Sequence, residues 1–229
     1  MIRAVVAGAG GKMGARILAA LAAEKDFEIA GNAGRSAPIE KALSGGADVV
    51  IDFSTPEASV HNARVCGEKG VPLVIGTTGF SSGQRAEIGN AARRIPLMLA
   101  PNMSLGVNVL FGLVADAARA LGPACQLDVL EIHHRAKKDA PSGTALRLAE
   151  AAAGALGVDP ASVPVQSIRG GDVVGEHTVF FLADGERLEL THKATSRDNF
   201  ARGAVRAARW LCGKKPGLYD MQDVLGLKR

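Results

Sequence analysis

The densest chemistry in the chain runs from Glu131 to Ala145, where EIHHRAKKDAPSGTA sets two of the five histidines beside a cluster of cations. His133 and Lys137 leave the end of a strand-like run into a loop, where side chains can converge on a ligand. A histidine that titrates near neutral pH beside a lysine can serve as a proton-donor pair. Pro141 followed by Ser142-Gly143-Thr144 opens a helix, and the N–H groups at a helix start suit an anion such as a carboxylate. Residue by residue, the segment also fits a solvated basic loop with Asp139 or Ser142 as a cap; the clustering favours a site. No third ligand stands at metal spacing from His133 and His134, so no metal is expected.

A second set of residues lies at the other end of the chain. Gly8-Ala9-Gly10-Gly11-Lys12-Met13-Gly14 falls between a first apolar run and a first helix. Glycines there permit a tight turn, let the backbone approach a pyrophosphate and allow close helix–strand packing. The helix start would hold the phosphates. This is not a nucleoside-triphosphate loop, because no Gly-Lys-Ser/Thr follows at the required spacing. After the second apolar run, Asn32-Ala33-Gly34-Arg35 contains no acid to bind a ribose 2′-hydroxyl. Arg35 can instead clamp a 2′-phosphate, with help from Lys12, so NADPH is the preferred cofactor and NADH stays open. The competing reading of Arg35 is a solvated loop arginine.

The elements that would carry these residues follow a clear rhythm. Apolar runs at Arg3–Ala7, Phe27–Ala30, Val49–Phe53, Leu73–Ile75 and Leu97–Ala100 alternate with helix-like stretches. That pattern predicts a doubly wound α/β domain with a parallel sheet. Ser54-Thr55-Pro56-Glu57 and Ser81-Ser82 mark helix starts. From Leu105 the pattern changes. Val107, Leu110, Phe111, Val114, Ala118 and Leu121 recur at helical spacing. Gln126–His133, Glu176–Leu182 and Arg187–His192 alternate as strands, with Ala183-Asp184-Gly185-Glu186 as a hairpin turn. Helices are expected over 142–156 and 199–211, and the tail 218–227 reads as a short amphipathic piece. The second half is therefore α+β, with an open mixed or antiparallel sheet.

Composition bounds the rest. The 229 residues are 47% hydrophobic and 22% charged, enough for a core and unlike a disordered chain. Aromatics are only 4%, while 28 glycines suit close helix-on-sheet packing. The net charge of +4 is mild and spread out, which disfavours nucleic acid. The three cysteines, Cys66, Cys125 and Cys212, lie far apart and read as reduced thiols. No uncharged apolar run approaches the ~18 residues of a membrane span, and the start reads as a strand rather than a signal peptide, so a cytoplasmic protein without membrane or nucleic-acid partners is expected.

Taken together, GAGGKMG at 8–14, IDFSTPEA at 51–58, VIGTTGF at 74–80, APNMSLGVN at 100–108, EIHHRAKKDAPSGTAL at 131–146, GDVVGEHTV at 171–179, LTHKATSRDNFARGAVRAARWL at 190–211 and GLYDMQDVL at 217–225 resemble the dihydrodipicolinate (4-hydroxy-tetrahydrodipicolinate) reductase family. The resemblance covers nearly the whole chain, and the HHR-x-K-x-DAPSGTA block is its most specific part.

The resemblance implies NAD(P)H-dependent reduction of a cyclic imine dicarboxylate to tetrahydrodipicolinate in diaminopimelate and lysine biosynthesis. By match to the motif, His133 would be the proton donor and acceptor and Lys137 the second proton donor. His134 and the Ser142-Gly143-Thr144 start would hold the substrate carboxylates. Gly8 to Met13 would bind the dinucleotide, while Gly76-Thr77-Thr78 and Ala100-Pro101-Asn102-Met103 would line its nicotinamide side. Residues 1–104 with 198–229 would form the dinucleotide domain, and 105–197 the substrate domain, whose sheet builds a homotetramer in the family; hinge closure would bring nicotinamide to substrate. Two departures stand out: Gly34 replaces an acid that members often carry, and the 156–171 link is short, so a sheet edge can differ. The 36–46 segment is also compact. Competing readings are another imine reductase, such as one resembling aspartate dehydrogenase, and a dinucleotide sensor without chemistry; the motif block argues against the first and the His133–Lys137 pair against the second.

Overall fold

A computed structural model describes residues 1–228. Two compact units divide it: residues 1–103 with those from 198 to 228, and residues 104–197.

In the first unit, β1 (Ile2–Ala7), β2 (Phe27–Ala33), β3 (Val49–Asp52), β4 (Leu73–Ile75), β5 (Pro96–Leu99) and β10 (Gly217–Tyr219) form one sheet in the order β10-β5-β4-β3-β1-β2. Every neighbouring pair is parallel. Short runs buried on both faces are what such a sheet requires. On one face Val5, Val50, Leu73, Ile75 and Leu97 pack with Ile39 of α2 (Ile39–Ala42), Val65 and Cys66 of α3 (Pro56–Lys69) and Ile88 of α4 (Ser82–Ala92). The alternate residues Val6, Val49, Ile51, Val74 and Met98 are equally buried. α7 (Asp198–Leu211) packs on β3, β4 and β5 and against α1 (Lys12–Ala22). Helices thus cover both faces. The chain order reverses at β1, which has β2 on one side and β3 on the other, so the carboxyl ends of β1 and β3 flank a switch-point crevice.

The second unit is a mixed sheet in the order β7-β6-β8-β9, built from β6 (Gln126–His133), β7 (Val165–Arg169), β8 (Gly175–Ala183) and β9 (Glu186–Ala194). β7 runs parallel to β6, and the other pairs are antiparallel. Asp184-Gly185 makes the β8–β9 turn, where Gly185 adopts φ +81°. Along β6, Leu127, Val129, Glu131 and His133 are buried in strict alternation. The apolar members pack with Leu110 and Val114 of α5 (Leu105–Leu121), Leu148 and Ala152 of α6 (Gly143–Leu156), and Val179 and Phe181 of β8. The helical stretch Leu105–Ala124, α5 continued by a short 3-10 turn, is long and apolar enough to cross a membrane by length and composition. It carries Asp116 and Arg119, and its Val107, Leu110, Val114 and Ala118 stripe is buried in this unit.

Two expectations are corrected here. The 156–171 segment is more than a link: Val165–Arg169 is a strand, added in parallel to β6 as the sheet edge. The tail is more than an amphipathic piece: Gly217–Tyr219 pairs with Pro96–Met98 before the short helix α8 (Met221–Leu225) begins at its Asp220 cap. In both cases the conformation comes from a neighbouring strand rather than from local pattern.

Candidate active site

Within the first unit, the turn after β1 explains its glycines. Gly8 sits at φ +78°, and a Cβ there would lie 2.3 Å from the Phe53 carbonyl oxygen. A Cβ on Gly14 would lie 2.2 Å from the Gly8 carbonyl oxygen, so α1 can start against the turn only because both are glycine. Gly10 has open space around it. Gly11 is the N-cap of α1 and supplies no side-chain cap, and the first turn carries no acid. Uncapped N–H groups beside exposed Lys12, with nothing to repel a negative charge, fit a phosphate.

Gly11, Lys12 and Met13 line a groove of about 370 Å³ with Phe53, Ser54, Thr55, Pro56, Gly76, Thr77 and Thr78. Its floor is polar and ordered. The buried Asp52 carboxylate accepts from Ser54 Oγ at 2.5 Å and Asn62 Nδ2 at 3.0 Å. Thr77 Oγ1 accepts from the Ser54 N–H at 3.0 Å and from Ser59 Oγ at 2.9 Å. Burial raises the Asp52 pKa against these hydrogen bonds. Gly76 is forced by Phe53, whose ring would stand 2.1 Å from a Cβ there. The other expected cofactor residues are elsewhere. Arg35 is exposed at the tip of a turn closed by Gly34 and Ala37, 2.9 Å from N–H to carbonyl oxygen. Ala100 to Met103 follow β5, with Pro101 exposed and Met103 buried. Neither group lines the groove.

Within the second unit, His133 closes β6 and lies at the centre of a buried polar cluster whose other members, Glu131, Arg169 and His177, the sequence does not single out. Glu131 and His133 are two apart on one strand and so share its inner face. The fully buried Glu131 carboxylate accepts from Arg169 Nη1 at 2.8 Å and Nη2 at 2.7 Å, and from the Ser142 N–H at 3.2 Å. It also bonds His133 Nδ1. Burial would raise its pKa, but hydrogen bonds from Arg169, Ser167 and His133 overcome that and hold it down at about 2. His133 is lowered by burial, with Glu131 opposing. His177 stands edge-on to His133 at 5.1 Å between centroids, and its Nε2 lies 3.3 Å from Ser142 Oγ. Burial, reinforced by His133, pushes it down to about 3.

The other expected residues surround this cluster. Lys137, half-buried, pairs with Asp139 at 2.9 Å. The His134 carbonyl accepts from the Lys137 N–H at 3.1 Å, which bends the loop into a turn. Ser142 is the N-cap of α6, its hydroxyl accepting from the Ala145 N–H at 3.2 Å. Two N–H groups of this helix start, those of Ser142 and Ala145, are therefore taken internally; Gly143 remains exposed. Ser142→Ala removes the cap and the contact with His177. Its expected cost is about 1 kcal/mol, measured as a lower unfolding free energy in urea.

Residues 2–103 match the family model described as dihydrodipicolinate reductase, N-terminus, and residues 106–225 match its C-terminus. The chain belongs to the dihydrodipicolinate reductase family. A 4-hydroxy-tetrahydrodipicolinate reductase from Anaeromyxobacter sp. (strain Fw109-5) is 52% identical over 265 aligned positions, covering 100% of this chain and 99% of the relative. One from Myxococcus xanthus (strain DK1622) is 47% identical over 269, with 100% and 99% covered. Both alignments are longer than the 229 residues they include, so these relatives carry positions this member of the family lacks. In fold, the chain is similar to a dipicolinate-bound dihydrodipicolinate reductase from Paenisporosarcina sp. TG-14, with TM-score 0.83, 23% identity, and 97% and 98% of the two chains covered. It is less similar to an amine dehydrogenase from Mycobacterium smegmatis, with TM-score 0.60, 14% identity, and 95% and 94% covered. As a dihydrodipicolinate reductase family member, the chain is a pyridine-nucleotide-dependent oxidoreductase.

Proposed function

We propose that this chain reduces 4-hydroxy-tetrahydrodipicolinate to tetrahydrodipicolinate, with NADPH preferred over NADH. The observation that carries the substrate is the buried His133 cluster beside Lys137 and the α6 start, because a dianionic imine needs both cations and a proton source. The full-length likeness to relatives named for this reaction supports it.

A reduced pyridine nucleotide supplies the hydride. The uncapped start of α1 and Lys12 would hold its phosphates, Gly76–Thr78 in the same groove would line its nicotinamide side, and Ala100–Met103, which follow β5 outside the groove, would complete that side. On the substrate, His134, the exposed Gly143 and the neighbouring Thr144 hold the carboxylates, while Ser142, buried and bonded within the chain, sets the helix start that presents them. Holding both carboxylates orients the ring for reaction. His133 Nε2 gives and takes a proton and Lys137 is the second donor: one proton would let the 4-hydroxyl leave as water, and one would follow the hydride onto the ring, so that no net charge is left on the product.

Arg35 carries the NADPH preference. Loss of charge-assisted bonds to a 2′-phosphate costs about 1.5–3 kcal/mol, so Arg35→Ala should raise KM for NADPH by roughly tenfold to a hundredfold and leave KM for NADH unchanged. A parallel rise for both nucleotides would place Arg35 outside the 2′-phosphate site. The outer face of the second sheet presents Leu130, Ile132, Ile168, Phe180 and Leu182, with Ile168 48% exposed, which suits a self-association face in a cytoplasmic homotetramer; sedimentation of the purified protein tests it.

The deciding assay couples the chain to dihydrodipicolinate synthase, pyruvate and aspartate semialdehyde and follows nicotinamide absorbance. Oxidation that depends on the synthase supports the assignment. Nucleotide binding without oxidation overturns the substrate and moves the reading to another imine reductase or a sensor.

A further inference from the structure

The buried carboxylate beneath His133 is explained by neither substrate nor cofactor. Glu131 lies on β6 two residues before His133, and Arg169 of β7 sits opposite His133 in the strand register, so all three side chains meet on one face. Glu131, with no exposed surface, accepts two guanidinium N–H groups, one backbone N–H and His133 Nδ1. An ionised carboxylate only accepts, so Nδ1 must carry the hydrogen. Neutral His133 is then the Nδ1–H tautomer, and Nε2 is the nitrogen that exchanges a proton. Space on that side is kept by Gly175, where a Cβ would come within 2.9 Å of Nε2. Arg169 grips Glu131 with both Nη atoms, and the backbone anchors the guanidinium in turn, Nη1 donating to the Ile168 carbonyl at 2.8 Å and Nη2 to the Asp139 carbonyl at 2.5 Å, while its buried Nε has no hydrogen-bond partner among the described residues.

We propose that Glu131 and Arg169 are a positioning pair for His133, Glu131 fixing which ring nitrogen faces the reaction and Arg169 locking Glu131 and balancing its charge. The inference rests on the reading of His133 as the proton donor, and neither member of the pair touches the substrate. The balance of charges gives it a direction. His133 is faced by Glu131 on its own strand, Arg169 on β7, His177 on β8, and Lys137 with its partner Asp139 in the loop that follows. Removing the Glu131 charge leaves the imidazolium facing the cations Arg169 and Lys137 with only Asp139, itself paired to Lys137, to offset them, so it releases its proton more readily. Removing the Arg169 charge leaves Glu131 unbalanced, so the imidazolium holds its proton longer.

The test combines the pH dependence of kcat/KM with imidazole 15N NMR of the full chain, using His133→Asn to assign the His133 signals. Native His133 should show the Nδ1–H tautomer. Glu131→Gln should move the basic limb of the profile down by about 1 pH unit or more, and Arg169→Met should move it up by a similar amount. Arg169→Lys, which keeps the charge but loses the two-pronged grip, should restore the limb without restoring full kcat. Movement of both limbs in one direction, or no movement, overturns the pairing, because a merely structural pair lowers activity without displacing them oppositely. An Nε2–H tautomer in the native protein overturns it too, and that measurement stands even if Glu131→Gln fails to fold. If His133→Asn keeps native turnover and profile, the proton-donor reading fails instead, while the native tautomer still reports on the pair.

Discussion

Lys137→Ala is expected to lower kcat by roughly 10²–10⁴-fold while leaving nucleotide binding intact, since a positioned proton donor contributes on that scale. The side chain is half-buried at 22% exposure and paired with Asp139, so its ammonium is held in place rather than solvated freely. The glycine loop belongs to the other unit, so titrating NADPH by its fluorescence should give an unchanged Kd. Lys137→Arg separates charge from proton transfer. A guanidinium keeps the attraction for a carboxylate but does not surrender a proton near neutral pH, so KM should recover more than kcat. If alanine costs less than about tenfold in kcat, Lys137 is a solvated loop cation and the proton comes from His133 or water alone.

The second large effect is on stability in acid. His177 is held near 3 in the folded chain against an ordinary 6.5. Between those values the unfolded chain binds a proton that the folded chain refuses, so stability is full above 6.5 and falls as the pH drops towards 3. More than three pH units at ~1.4 kcal/mol each gives a loss on the order of 4 kcal/mol. Glu131 acts in the same sense lower down: held at about 2 against 4.5, it stabilises fully above 4.5, and that contribution disappears as the pH falls through 2. Urea unfolding at a series of pH values should therefore show a steep decline below about pH 6. His177→Asn, which cannot titrate, should be less stable at neutral pH but lose far less on acidification. Parallel curves for the two proteins would remove His177 as the cause. The same buried residue that packs edge-on against His133 thus sets the acid limit of the cluster.

Where local chemistry decides a conformation, the chain is readable. The β-branched run before Gly8 is a strand because it is buried on both faces, and Gly8 and Gly14 are glycines because two carbonyls leave no space for a Cβ. Ser81 caps α4 with Gln84 in a reciprocal box, and Thr55 with Pro56 starts α3. Asp184-Gly185 turns a hairpin. What escapes is set at a distance. Val165–Arg169 and Gly217–Tyr219 are strands only by virtue of β6 and β5. Missing β7 hides Arg169, and without Arg169 a buried Glu131 looks like an ordinary alternating position. His177 is invisible for a similar reason, because its meaning depends on the β6–β8 pairing that sets it against His133. Glu131 alone had a local signal: two residues before a candidate proton donor, on the same side of a strand.

The return of the chain into the first unit has a consequence for how the protein is made. A Cβ on Gly203 of α7 would lie 1.8 Å from the Met103 carbonyl oxygen, and β10 completes the sheet on the far side of β5. Neither can be in place until residues 198–219 have followed all of the second unit off the ribosome. The nascent first unit therefore waits with β5 as an open edge and with the sheet surface meant for α7 uncovered. An unpaired strand edge is an invitation to neighbouring chains. Domain-by-domain maturation in order of synthesis is closed to this topology. The second unit can finish first, and the last thirty or so residues then act as a clasp, so that truncation near the C-terminus should harm the half of the protein that was translated first.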